Sequence, residues 1–287
     1  MQRGKEQLSN YYTTPSDTVV FFSGGRTSAY MLYRVLDAYD GKLPNFFQVC
    51  FSNTGKEMPE TLDFVRDCEE KWDVPITWLE YDGRTKAEDE DKHTYYYKVV
   101  DYATAARNGE PFTRLIDEIG LPNPRTRFCS GQLKVRTIHR YLKDVGFETP
   151  YLSMLGLRAD EPRRAMRLSG KVTEGSEKVL PLYWDGVTKE QVGQFWADHE
   201  FDLQLPNNGG VTDWGNCDLC FLKGLGKRKS LIEQRPDLVD WWIAQEKKVN
   251  DVFNRGRKSY SDLAVIATEN FDMFAGEDES LPCFCGD

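Results

Sequence analysis

Val19-Val20-Phe21-Phe22-Ser23-Gly24-Gly25-Arg26-Thr27-Ser28-Ala29-Tyr30-Met31-Leu32 is the stretch whose reading decides the fold. Four apolar, β-prone residues run straight into a short polar turn, after which Tyr30, Met31, Tyr33 and Leu36 fall at helical spacings. The pattern is strand, tight turn, helix. Paired glycines let the backbone take positive φ and let an anion approach without a Cβ in the way, while the N–H groups of the first helical turn stay unpaired. A phosphate or sulfate fits such a turn. Ser-Gly-Gly is also ordinary punctuation in α/β folds, and its spacing is neither GxGxxG nor GxxxxGK[ST], so those two cofactor classes lose support.

Moving outward, Asn45–Phe51 reads as a second buried strand. It leads into Ser52-Asn53-Thr54-Gly55-Lys56-Glu57-Met58-Pro59, where Pro59 suits a first helical position. A helix through Asp63–Trp72 and a strand at Ile76–Tyr81 follow. Strands alternating with helices predict βαβ units in a parallel sheet, with ligands at the carboxyl ends of the strands. Residues 82–98 are charged and then aromatic (Tyr95, Tyr96, Tyr97), and the acidic run Glu88–Asp91 within them reads as a solvated loop. Helices are expected over Thr104–Ile119 and from Arg125 through Tyr141, a strand at Tyr151–Leu157, and an extended piece at Val179–Tyr183. Thr188 with Gln191 forms a near capping box for the next helix. Residues 230–255 read as helical, with Trp241 and Trp242 in the core. The organisation expected is an arm over 1–17, a nucleotide-binding α/β domain over 18–205, and a mainly helical, cysteine-bearing region over 206–287.

The chain has 287 residues, 40% of them hydrophobic, and a formal charge of -9. That length buries a sizeable core, and that charge repels polyanions except at local basic patches. One such patch is Arg125, Arg127, Lys134, Arg136 and Arg140; another is Lys223, Lys227, Arg228 and Lys229. No run of apolar residues is long enough to span a membrane, and the opening residues lack a signal-peptide pattern, so a cytoplasmic protein is expected.

Seven cysteines without a secretion signal predict reduced thiols rather than a disulfide framework. Cys50 and Cys68 fall on buried faces and read as inert. Cys217-Asp218-Leu219-Cys220 has C-x-x-C spacing, which brings two sulfurs within reach of one metal. With Cys129, Cys283 and Cys285 it makes five thiols on turns or helix starts, suited to zinc or an iron–sulfur cluster. Spacing does not separate those two. His93, His139 and His199 form no spaced pair and read as structural or surface residues.

Together these motifs resemble the phosphoadenylyl-sulfate reductase branch of the adenine-nucleotide α-hydrolase-like superfamily, in particular the reductase-like proteins of phage genomes. Ser23–Ser28 is similar to that superfamily's pyrophosphate loop. Residues 51–61 are similar to its second-strand segment, Arg127-Phe128-Cys129 with Leu133-Lys134 to its arginine-cysteine and leucine-lysine segment, and Gly156–Glu161 to its glycine-x-arginine turn. The resemblance implies a doubly wound α/β domain that binds an adenine nucleotide (phosphoadenylyl sulfate, adenylyl sulfate or ATP) through Ser23, Gly24, Gly25, Arg26, Thr27, Ser28, Asn53, Thr54, Gly55 and Glu57. Sulfate or another anion would sit near Arg127, Lys134, Arg158 and Arg164. A [4Fe–4S] cluster, with zinc as the alternative, would be held by Cys129, Cys217, Cys220 and Cys283 or Cys285.

The chain departs from that pattern at Arg26-Thr27, where ATP-splitting members carry lysine then aspartate, and at Cys285-Gly286-Asp287, which lacks the acid preceding the reductases' catalytic cysteine. The first expectation is a sulfonucleotide reductase with Cys285 or Cys283 as nucleophile and a thioredoxin-like reductant; a homo-oligomer is allowed. The second is ATP-dependent sulfur insertion into tRNA or DNA, with Mg²⁺ beside the ATP. The third is a metal-stabilised binding protein without catalysis.

Overall fold

The computed structural model describes residues 11–86, 93–169, 171–173, 175–207 and 212–269. The opening stretch forms β1 (Thr18–Phe22) and α1 (Arg26–Ala38), followed by β2 (Phe47–Asn53), α2 (Pro59–Lys71) and β3 (Thr77–Thr85). Pro59 sits in the first turn of α2, where its missing N–H costs nothing. β1 pairs in parallel with β2 on one side and with β5 (Tyr151–Leu155) on the other, and β2 pairs in parallel with β3. Chain order therefore reverses at β1, the switch point where such sheets open a crevice.

Seven strands lie in the order β4-β3-β2-β1-β5-β7-β6. β7 (Ser176–Val179) is parallel to β5, while the two edge strands, β4 (Thr94–Val100) and β6 (Val172–Thr173), run antiparallel. Alternation along β1 divides its side chains between two faces. Val20 and Phe22 join a large core with Met31, Leu32, Phe64, Val65 and Trp196, and Val19 packs with Cys50, Leu79, Ile138 and Leu142 on the opposite face. Helices cover both faces, as the doubly wound expectation requires.

Several boundaries differ from the sequence reading. The charged and aromatic stretch 82–98 contributes two strands: β3 runs on to Thr85, and β4 returns antiparallel from Thr94. The acidic run Glu88–Asp91 lies outside the described residues. α3 spans Glu110–Ile119 and does not begin at Thr104, because Gly109 takes a left-handed conformation and Asp101 closes a local turn by accepting from Thr104 N and Oγ1. The helix expected from Arg125 begins at Phe128, continues as a π-helical segment, Ser130–Arg136, and passes into α4 (Thr137–Asp144). Pro181 ends the extended piece and opens the short α6 (Pro181–Trp184), preceded in chain order by α5 (Pro162–Leu168).

α7 (Lys189–Asp198) carries the capping box of Thr188 and Gln191. Beyond it, Pro236 breaks the expected long helix into α8 (Leu225–Gln234), a 3₁₀ turn and α9 (Val239–Val249), and α10 (Tyr260–Thr268) adds a helix that had no clear signal. Trp242 is fully buried, and the large core continues without a break from Met31 to Leu263. Tyr12 is buried as well and donates to Asp185 Oδ2 at 2.8 Å.

Candidate functional site

Gly24 occupies the left-handed region at φ +80, and a Cβ there would lie 2.8 Å from Thr61 Cγ2. Glycine is therefore required twice over, by conformation and by space. Gly25 is the extended N-cap of α1 and gives it no side-chain cap, and the first turn of α1 holds no acid. Only Gly24 of the pair needs positive φ. The loop is braced from within: Ser28 Oγ donates to Gly25 O at 2.9 Å, accepts from Ser23 N at 3.2 Å, and lies 2.9 Å from Ser23 Oγ.

Arg26 points away from this loop. Its guanidinium forms a two-pronged pair with Asp202 at 2.7 and 2.8 Å and donates to Leu205 O at 2.9 Å. Its side chain thus clamps the start of α1 to residues 202–205. Arg158 is also engaged: it donates to Thr27 Oγ1 at 2.9 Å and Asp160 Oδ1 at 3.1 Å, with Glu161 alongside. It stabilises the loop and does not line the open cleft.

That cleft, about 340 Å³, lies over the carboxyl ends of β1 and β5. Ser23, Ser28, Ser52, Ser130, Arg127, Lys134, Arg164 and Lys178 provide its polar lining, and Phe21, Phe22, Ile138, Leu155, Leu157 and Leu168 its apolar walls. Gly156 makes the approach of β5 possible, since a Cβ there would fall 3.0 Å from Ser28 Cα. Four cations line one cleft in a chain of net charge -9, a local concentration of basic side chains against the acidic background.

Asn53, Thr54, Gly55 and Glu57 stand behind the cleft wall. Asn53 Nδ2 donates to Glu80 Oε1 at 2.7 Å, and its Oδ1 accepts from Gly55 N at 3.0 Å. Glu57 Oε2 accepts from both Thr54 N and Thr54 Oγ1 at 2.8 Å, while its Oε1 lies 3.3 Å from Lys134 Nζ. Glu57 thereby holds a cleft cation in place. Burial raises the Glu80 carboxyl above its ordinary range, against the donors Ala106 N and Asn53.

The same loop is joined to the C-x-x-C segment. Residues Glu57 and Cys217 form an antiparallel bridge, Asp218 N donates to Lys56 O at 2.8 Å, and Lys56 Nζ pairs with Asp218 Oδ2 at 2.8 Å in buried surroundings. Trp242 Nε1 donates to the other oxygen, Asp218 Oδ1, at 2.8 Å. Cys129, Cys217 and Cys220 consequently line one small cavity of about 20 Å³, with Thr54, Leu133, Phe221 and Trp242 among its walls. Thr54 Oγ1 lies 3.7 Å from Cys217 Sγ. Ser130 and Lys134 line this cavity and the cleft alike. Among the described residues, no three His, Cys, Asp or Glu side chains are gathered to hold a single metal ion. Cys283 and Cys285 lie outside the described residues.

Cys50 and Cys68 are buried, and burial raises both thiols. His139 is pushed down to about 3 by burial and the charge of Lys178; His199 stacks on Phe195. Sequence reading missed Lys178, which gave no motif signal, and the Lys56–Asp218 pair, whose partners are far apart in the chain. No helix among the described residues is long and apolar enough to cross a membrane.

The fold is a doubly wound α/β sheet with a cation-lined cleft at its switch point and three cysteines lining a cavity beside it. Residues 17–204 match the phosphoadenosine phosphosulfate reductase domain, and the chain belongs to that family. It is 32% identical over 262 residues to the uncharacterized nin region protein ORF290 of Escherichia phage lambda, covering 88% of this chain and 85% of that protein. It is 26% identical over 153 residues to the uncharacterized protein MJ0066 of Methanocaldococcus jannaschii, covering 53% of this chain and 25% of that protein. Among solved structures it is similar to phosphoadenylyl-sulfate reductase from Candida auris in a phosphate complex, with TM-score 0.39, 15% identity, and 71% and 89% of the two chains covered. It is also similar to the U34-tRNA thiolase NcsA of Methanococcus maripaludis with its [4Fe-4S] cluster, with TM-score 0.46, 13% identity, and 99% and 85% covered.

Proposed function

We propose that this chain is an enzyme of sulfonucleotide chemistry: it binds adenylyl or phosphoadenylyl sulfate in the cleft at the β1–α1 loop and presents the sulfate to a thiolate. The observation that carries the reading is the sharing of Ser130 and Lys134 between the anion cleft and the three-cysteine cavity. Backbone N–H groups of Gly24–Ser28 hold the phosphate, and Arg127, Lys134 and Arg164 hold the sulfate and stabilise charge as the S–O bond breaks. A thiolate of Cys285, or of Cys283, attacks the sulfate sulfur. An S–S bond forms, the S–O bond to phosphate breaks, and the nucleotide leaves with the electron pair. A dithiol of the thioredoxin class then attacks the cysteine sulfur, releases sulfite and closes to its own disulfide, restoring the thiol.

Soft thiolates in an apolar, partly enclosed cavity suit a metal–sulfur group. Cys129, Cys217 and Cys220 would supply three ligands, and Cys283 or Cys285 the fourth. Four thiolates suit either one zinc or a [4Fe–4S] cube, each thiolate of the cube binding a different iron, and the cluster is the group this reading adopts. When bound, that cluster supplies an electron-rich centre with sulfur ligands next to Lys134.

The reading is tested under anaerobic conditions by measuring sulfite and free nucleotide from adenylyl sulfate or phosphoadenylyl sulfate with a dithiol. Sulfite in step with nucleotide, lost in both Cys285→Ser and Lys134→Ala, is expected; sulfite production unaffected by Cys285→Ser and Cys283→Ser removes the assigned nucleophiles. A second reading, ATP-dependent sulfur insertion into nucleic acid, is favoured by the direct chain link between Cys129 and the cleft residue Ser130. AMP release that requires tRNA or DNA would replace the first reading with this one.

A further inference from the structure

The second basic patch of the sequence, Lys223, Lys227, Arg228 and Lys229, does not stay together in the fold. Lys227 pairs with Asp213 at 3.0 Å and Lys229 with Glu233 at 3.2 Å, whereas Arg228 turns inward and is 1% exposed. It shares the buried side of α8 with Leu225, Leu231 and Ile232. Its Nε and Nη2 are buried with no hydrogen-bond partner, and among the described residues it forms no ion pair. Glu246 is within electrostatic reach, but it already accepts from Phe253 N at 3.2 Å and Tyr260 N at 2.8 Å, and burial raises its carboxyl above the ordinary range. A guanidinium cannot shed its proton, so one left this way in the interior is costly unless a negative charge answers it.

Arg228 stands behind the three-cysteine cavity. Its guanidinium carbon lies 5.6 Å from the centre of the Tyr260 ring, that ring stacks on Trp242 at 5.1 Å, and Trp242 walls the cavity. The Tyr260 hydroxyl donates to Leu219 O, the carbonyl bonded to the Cys220 nitrogen. Burial raises that hydroxyl well above its ordinary range, the charge of Arg228 opposes the rise, and Cys220 adds to it. Two other cations of this region are already answered, Lys56 by Asp218 at 2.8 Å and Lys134 by Glu57 at 3.3 Å.

We infer that Arg228 is the counter-charge of a metal–thiolate group at Cys129, Cys217 and Cys220: it helps hold the group in the fold and, for an iron–sulfur cluster, favours the reduced state. This rests on the metal–sulfur reading above and deepens it. Four thiolates outweigh the charge of Zn²⁺ and of an oxidised [4Fe–4S]²⁺ core alike, so with either metal the loaded site is a buried dianion. A unit charge on the order of 10 Å away, at an effective dielectric of about 20, shifts such an equilibrium about tenfold.

The test takes the full chain purified anaerobically, measures iron, sulfide and zinc, and follows release of the metal to excess chelator at fixed pH. Arg228→Met, which is neutral, should release metal about tenfold faster than wild type, while Arg228→Lys, which keeps the charge, should stay within about threefold. Arg228→Gln serves the same comparison should the methionine variant misfold. If the metal is an iron–sulfur cluster, its midpoint in stepwise dithionite reduction should fall in the neutral variants by about 59 mV, the one-electron equivalent of tenfold, and recover in Arg228→Lys. Neutral variants that release metal at the wild-type rate, a cluster midpoint that they leave unmoved, or a lysine variant as leaky as the methionine one overturns the inference and leaves the metal reading standing. Wild-type protein without metal overturns both.

Discussion

Removing Asp202 isolates the cation that the opening motif places in its loop. Arg26 is 5% exposed in its side chain and Asp202 27%, and the guanidinium meets the carboxylate through two hydrogen bonds of 2.7 and 2.8 Å. Deleting one member of a buried pair costs about 3–5 kcal/mol, because the other charge stays buried without compensation. Here the carboxylate is partly hydrated, and backbone carbonyls of Leu203 and Leu205 still accept from Arg26, so Asp202→Ala should cost about 2–3 kcal/mol. With a urea slope of about 3 kcal/mol per molar, the unfolding midpoint falls by about 0.7–1 M at constant slope. A double variant, Arg26→Met with Asp202→Leu, removes both charges and should recover most of that loss. It should also keep nucleotide affinity within about threefold, since the side chain does not face the cleft. A midpoint for Asp202→Ala within about 0.1 M of wild type, or a double variant as unstable as the single one, would refute the reasoning.

Other consequences follow from the same geometry. Lys134→Ala removes a cleft cation and leaves Glu57 buried without its ion pair, so nucleotide affinity measured by calorimetry should fall about tenfold or more and the unfolding midpoint should fall as well. His139 is held near 3 in the fold against an ordinary 6.5, a depressed base, so its contribution is present above pH 6.5 and is lost as pH falls toward 3. Wild-type stability should then decline relative to His139→Phe across that window, with a slope approaching about 1.4 kcal/mol per pH unit in urea titrations. Glu80 has the opposite sign: its raised carboxyl pKa means stability is lost as pH rises through it, so Glu80→Gln, whose Oε1 can accept the same two bonds, should gain on wild type as pH rises toward 7. Cys50 and Cys68 should resist alkylation in the native protein, read by mass spectrometry, and react only on unfolding.

What could be read before folding was whatever is local in the chain. The strand–turn–helix at Val19–Leu32, the Pro59 helix start and the Thr188 capping box each depend on residues within a few positions of one another, and each forms as expected. Gly109 shortened α3 through a single left-handed residue inside an otherwise helical pattern. The fate of Arg26 could not be read, because Asp202 stands 176 positions away and nothing in either neighbourhood marks the pairing. Arg158 shows the same limit: its motif was visible, and its capture by Thr27 was not. Cys129 and the Cys217–Cys220 pair were recognisable as thiol chemistry, whereas the buried Lys56–Asp218 pair that ties their segment to the 53–57 loop emerges only in three dimensions. Lys178 lies in the short strand Ser176-Glu177-Lys178-Val179, whose sequence gives no sign that this lysine is buried in the fold.

The central claim is that the nucleotide cleft and the three-cysteine cavity are two halves of one sulfur-chemistry site. Anaerobically purified protein, assayed for iron, sulfide and zinc and then titrated with adenine nucleotide while its visible spectrum is followed, tests this most directly. The account predicts about four irons and four sulfides per chain, loss of the visible band in Cys129→Ser, Cys217→Ser and Cys220→Ser, and a saturable nucleotide-induced change in that band that Lys134→Ala weakens. One zinc without sulfide, or a cluster whose spectrum ignores bound nucleotide, would contradict it.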